Sequence, residues 1–162
     1  MHVLLIQNGE LYVFDVNAAH NLNYAGSVHL QIWSCCLACT RRENDTLVAF
    51  AHDSSVSLQR LASIPLRLKP LARLTSLTAP WRLLFREELL LVADMDWTTN
   101  THAIVSVRTT GNALTELRVL LDAQKSVYVF DLTLAGDRLV LAEKNLETFE
   151  YKAGNLFVYV FV

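Results

Sequence analysis

Apolar residues along this chain fall in short runs rich in Val, Leu, Tyr and Phe, each broken by turn-forming residues. No stretch sustains the i, i+3, i+4, i+7 spacing of an amphipathic helix behind a capping residue. The pattern therefore predicts an all-β chain. Strands are expected over 2–7, 11–16, 24–30, 32–39, 46–52, 56–62, 70–77, 81–86, 89–94, 103–108, 114–121, 127–134, 138–143 and 156–162. Asn8-Gly9 is the strongest hairpin signal, because both residues tolerate the positive φ of a type I′ turn. Asp53-Ser54-Ser55, Gly136-Asp137 and Gly154-Asn155 mark further turns.

The runs repeat. Trp33-Ser-Cys-Cys-Leu37, Trp81-Arg-Leu-Leu-Phe85 and Tyr128-Val-Phe-Asp-Leu132 each place a ring four residues before a large apolar side chain, on one face of a strand. Their starts are 48 and 47 residues apart. Each is followed by a second apolar strand through Leu47-Val48-Ala49, Leu91-Val92-Ala93 or Val140-Leu141-Ala142, then a hairpin and a third strand. A more polar fourth strand closes the first two units. Four antiparallel strands at a period in the mid-forties is the signature of a β-propeller blade. Such a sheet has two apolar faces and buries both only by stacking on its neighbours. The expected layout is a single domain over 1–162, with about three to three and a half blades: 2–30 (partial), 31–77, 79–121 and 126–162 (partial).

On these residues the chain resembles the WD40-like propeller family. Gly9-Glu-Leu-Tyr-Val-Phe-Asp15 is similar to that family's third strand, Ile32-Trp-Ser-Cys-Cys-Leu-Ala-Cys39 to its innermost strand, and Ala51-His-Asp-Ser-Ser-Val-Ser-Leu58 to the hairpin and third strand that follow. No Gly-His pair opens a blade and no Trp-Asp pair closes one, so the resemblance is to a diverged member. The segment 144–154, ahead of Asn155-Leu-Phe-Val-Tyr-Val-Phe161, resembles propellers of the damaged-DNA-binding and polyadenylation-factor type, which implies as an alternative a subunit of a nucleic-acid-processing assembly that binds through proteins more than through phosphates. What the WD40-like resemblance implies is a rigid, non-catalytic scaffold for protein–protein interaction, part of a larger complex. A closed propeller takes at least four blades. The chain is accordingly expected to be part of a larger propeller, to pair with a second copy or another chain, or to close as an irregular barrel or sandwich.

Composition sharpens the picture modestly. Of 162 residues, 52% are hydrophobic and 19% charged, with mean hydropathy +0.28, which excludes a disordered chain. No apolar run is long enough for a membrane span, and Met1 to Gln7 lack the basic region and long apolar stretch of a secretory signal. A net charge of −2 gives no general pull towards nucleic acid, so direct binding to it is not expected. An odd cysteine count without a signal points to reduced thiols and an intracellular home, cytoplasm or nucleus.

Candidate chemistry is sparse. Cys35, Cys36 and Cys39 lie in an apolar strand with no second ligand pair, which reads as core packing and not as zinc. His2, His20, His29, His52 and His102 show no metal spacing; His20 and His29 read as surface positions. His52-Asp53-Ser54-Ser55 holds a base, an acid and nucleophiles, but neighbours on one hairpin do not assemble a triad, and turn chemistry accounts for Asp53 and the serines. No phosphate loop occurs, and eight basic residues before position 90 (Arg41, Arg42, Arg60, Arg67, Lys69, Arg73, Arg82, Arg86) are scattered by strand alternation. No cofactor is expected. A propeller enzyme or metal hub would need acids or histidines on innermost strands, and those are expected to carry only Glu87 and Asp131. Asp94, Asp96, Glu143, Glu147 and Glu150 lie near second-strand exits, as an acidic rim or a solvated hairpin. Trp97 sits in a polar hairpin, either exposed as a binding anchor or folded back over the blade edge. The expected partner-binding residues are Asp94, Asp96, Trp97, Glu147 and Tyr151, with other proteins as the partners.

Overall fold

The computed structural model describes residues 2–30, 34, 36–43, 45–99, 101–121, 127–136, 138–145 and 155–160. Fourteen strands account for nearly all of them, and no helix occurs among the described residues, so none is long and apolar enough to cross a membrane. They are β1 (His2–Gln7), β2 (Glu10–Val16), β3 (Leu22–His29), β4 (Cys36–Arg42), β5 (Asp45–His52), β6 (Ser55–Ser63), β7 (Leu66–Leu74), β8 (Pro80–Arg86), β9 (Leu89–Asp96), β10 (Thr101–Thr110), β11 (Ala113–Leu121), β12 (Val127–Ala135), β13 (Arg138–Asn145) and β14 (Asn155–Val160). Each expected strand is present.

Every strand pairs antiparallel with its sequence neighbour within four separate sheets. Their orders are β1-β2-β3, β4-β5-β6-β7, β8-β9-β10-β11 and β12-β13-β14, and none of them closes on itself. Tight turns make these meanders possible. Asn8 (φ 52°) and Gly9 (φ 78°) form the expected left-handed pair between β1 and β2.

The sheets lie face on face, and the alternation within β5 and β9 is the cause. In β5, Val48 and Phe50 point at Leu11 and Val13 of the first sheet, while Leu47, Ala49 and Ala51 point at Leu90 and Val92 of the third. In β9, Leu91 and Ala93 turn the other way and meet Leu132, Leu139 and Leu141 of the fourth sheet. A strand buried on both sides reads as an unbroken apolar run, as Leu-Val-Ala-Phe-Ala and Leu-Leu-Leu-Val-Ala do. Three apolar layers between four sheets form the core. At one edge of the stack β8 lies against β4 on one side and β12 on the other; at the opposite edge β7 lies against β3 and β11. Gly26, with φ 145°, brings β3 so near β7 that a Cβ there would sit 2.8 Å from Leu66 Cδ2.

Several expectations need correcting. The expected strand over 70–77 is β7, Leu66–Leu74, and its hairpin turns at Ile64-Pro65. Pro70 is internal to that strand because β7 is the outermost of its sheet, where a missing N–H costs no ladder bond. The strand expected over 32–39 runs three residues further, to Arg42, whose side chain is held by the next sheet (below); Ile32, Trp33 and Cys35 lie outside the described residues. Trp81 is the extra residue of a bulge between Pro80 and Arg82, so alternation does not tie its ring to the face of Phe85. Glu87 is not on a strand; it occupies the turn after β8 with φ 51°. Cys36 is half-buried against the core, as expected, but Cys39 is exposed.

Candidate binding faces

Hairpins of a meander alternate between the two ends of a sheet. In the second and third sheets, the β4–β5, β8–β9 and β10–β11 turns share one end, because Arg42 reaches from the first of these to the other two. Its Nη1 donates to the Thr109 carbonyl at 2.6 Å, and its Nη2 to Thr109 Oγ1 and, at 3.5 Å, to the Glu87 carbonyl. Thr109 Oγ1 in turn donates to the Glu88 carbonyl at 2.9 Å. The planar fork of Arg42 thus ties two sheets together through backbone acceptors that would otherwise lose water on burial.

Around this clamp lies an open groove of about 520 Å³. Arg41, Arg42 and Arg60 line it, but so do Glu43, Asp45, Glu87 and Glu88, and Arg60 Nε is paired with Asp45 at 3.1 Å. Acids match the guanidinium groups, so the groove does not select a phosphate or an acidic chain.

The opposite end carries the β5–β6 and β9–β10 turns, where most sequence candidates fall. Trp97 stands in the second turn and is 55% exposed. Asp96 shapes that turn. Its Oδ1 accepts from the Thr98 N–H (2.8 Å) and the Thr99 N–H (3.3 Å), and hydrogen bonds from the Thr99 side chain and the Thr98 backbone hold its carboxyl below the usual range. Asp94 is committed elsewhere. Its carboxylate accepts from the Thr78 N–H (2.9 Å) and the Ala79 N–H (2.8 Å), pinning the segment that leads into β8. It is a structural cap more than a rim group. Glu147, Glu150 and Tyr151 lie outside the described residues.

His52 and Ser55 depart from the turn reading. Both are buried, at 5% and 1% exposure, as directly opposed residues at the ends of β5 and β6. Ser55 Oγ lies 3.2 Å from His52 Nε2 and accepts from Arg73 Nε at 3.1 Å. Burial, and then the Arg73 charge, lower the imidazole pKa against a smaller opposing pull from Asp53. Asp53 and Ser54 are exposed in the turn itself. The result is a polar knot in which the buried His52 and Ser55 are capped by the exposed Arg73. Of the two histidines expected at the surface, His20 is exposed and His29 Nδ1 pairs with Glu10 at 3.0 Å. Among the described residues no group of three or more His, Cys, Asp or Glu is placed to hold a metal ion.

Sequence reasoning missed the Arg42 clamp and the His52–Ser55–Arg73 knot. Thr-Arg-Arg after Cys39 looked like the start of a loop, and nothing local marks an arginine as reaching a residue 67 positions away. Asp131, placed as expected on β12, faces Arg82 Nε at 3.6 Å, an exposed pair.

No protein-family model matches this chain, and no curated protein does. It is similar in structure to a protein from Lactobacillus plantarum whose crystal structure was solved as a structural genomics target. The TM-score is 0.53 at 16% identity, over 93% of this chain and 50% of that one. That likeness concerns the fold, and this chain spans about half the length of its neighbour.

Proposed function

We propose that the four stacked sheets are an arc of WD40-like propeller blades and that the chain is a non-catalytic intracellular scaffold, holding partner proteins on its turns as part of a larger complex. One observation carries the reading. First strands β4, β8 and β12 pack against one another at one edge while outer strands β3, β7 and β11 do so at the other, which is how blades radiate from a common hub. Neighbouring sheets joined by apolar layers hold their turns at fixed positions, and that rigidity is what a docking platform supplies. The end bearing Trp97 is the favoured docking face. A half-exposed tryptophan on a turn shaped by Asp96 presents a large apolar area at little entropic cost, the profile of an interface anchor.

Affinity capture with the tagged chain tests this. A stoichiometric protein partner should be retained by the wild type and by Asn112→Ala at the opposite end, and lost by at least about tenfold with Trp97→Ala. Equal capture by Trp97→Ala, or no partner at all, would remove this face from the reading.

A further inference from the structure

Strand β3 is an edge of the first sheet, and its ladder partner among the described residues is β2 alone. In an antiparallel pair, alternate residues turn their N–H and C=O towards the partner strand and the others turn theirs away. The Leu30 N–H donates to the Gly9 carbonyl at one end of this pair, and the Asn17 N–H to the Asn21 carbonyl at the other. The register alternates inward from both bonds, with Ala25 the extra residue of a bulge. Leu22, Tyr24, Ser27 and His29 are thereby left with backbone donors and acceptors aimed outward. Leu22 is 56% exposed and Tyr24 61%, and Asn23, Ala25, Ser27 and His29 are exposed too.

The corresponding edges of the next two sheets are guarded. β7 has Pro70 within it and the exposed cations Arg67, Lys69 and Arg73 along it, and β11 carries Glu116 and Arg118 in its sequence. Proline and charge are what keep a sheet edge from recruiting a strand. From Leu22 to Val28, β3 has neither. The side chain at Tyr24 also stands in an aromatic row, its ring 5.7 Å from Phe14 and 6.4 Å from Tyr12, centroid to centroid. A strand laid along β3 would place alternate side chains beside that row, because directly opposed residues share a face.

We propose that the β3 edge takes up an extended segment of a partner protein by strand addition, the segment being apolar at alternate positions. The outward N–H and C=O groups define the ligand class, since only another extended backbone meets donors and acceptors at that spacing. The aromatic row supplies the preference for apolar side chains on one face. A short segment fits better than a second copy of β3: two rigid strands paired about a two-fold axis would have to bring two bulges into one ladder. This site uses the first sheet alone. It depends neither on the arc reading nor on the Trp97 face.

The test is fluorescence anisotropy with a labelled peptide, Lys-Thr-Val-Tyr-Val-Thr-Lys, and its twin N-methylated at the central Val-Tyr-Val, which cannot donate to a ladder. The wild-type chain should bind the first with a Kd of about 100 μM or tighter and the twin at least about tenfold more weakly. Tyr24→Pro removes only an outward donor and should cost the chain at least about tenfold in affinity, with far-UV circular dichroism showing that it still folds. Leu22→Lys, which keeps the backbone and sets a charge on the edge, should weaken binding at least about threefold and serves if Tyr24→Pro does not fold. Trp97→Ala should bind as the wild type does, so this site and the Trp97 face stand or fall separately. No binding of the peptide overturns the proposal, as does equal binding of the N-methylated twin, or equal binding by the folded variants. So does a wild-type dimer in sedimentation equilibrium that Leu22→Lys dissociates, since a second copy would then occupy the edge.

Discussion

The most informative single residue is His52. Its ring is buried beside Ser55 and near the Arg73 guanidinium, and both surroundings disfavour the imidazolium, so its folded pKa lies below the ordinary 6.5. Above about pH 6.5 the ring is neutral whether the chain is folded or not, and it contributes no pH dependence. As pH falls below that value, the unfolded chain takes up the proton first, so stability declines; the decline levels off once the folded ring also protonates. Thermal melts between pH 8 and pH 5 should show the slope for the wild type and a reduced one for His52→Asn. An equal slope in both would mean the burial has no titrating consequence. Nothing in the local sequence announces this residue, because Asp53-Ser54 beside it is ordinary turn chemistry. Ser55 opposes it across the hairpin, a local feature, but the approach of β7, which brings Arg73, is not a local property.

Among the elements, strand identity was readable because β5 and β9 carry apolar residues at consecutive positions and are bracketed by turn formers. Their partners could be inferred from the short connections alone. Strand ends were less legible where a long-range contact decided them. β4 extends through polar Thr40-Arg41-Arg42 because the last of these is anchored on the third sheet, and β7 accepts Pro70 because its outer edge needs no donor there. Arg42→Ala should cost about 1–3 kcal/mol in urea unfolding, since it strands acceptors at the fully buried Thr109. Lys at that position should recover only part, lacking the fork. By contrast Glu10→Ala, which breaks only the exposed pair with His29, should change stability by less than about 0.5 kcal/mol. Comparable losses for Arg42→Ala and Glu10→Ala would show that the clamp does not join the sheets energetically.

Among the described residues, the main contacts of each sheet are with its neighbours, so stability is distributed along the stack as nearest-neighbour terms. The second and third sheets have partners on both sides; the first has one. Native-state hydrogen exchange should therefore find the slowest amides in β5 and β9 and the fastest strand amides in β1. Uniform protection across all four sheets would contradict a modular stack and point to a single closed unit. Sequence periodicity could supply the number of sheets but not the angles between them, and one of those angles has an unusual origin. At Gly26 the first sheet leans on the second across a gap the width of one missing methyl group. Any side chain at 26 would act as a wedge between β3 and β7. The angle at which the first sheet rests on the second therefore passes through a position that contributes no contact of its own.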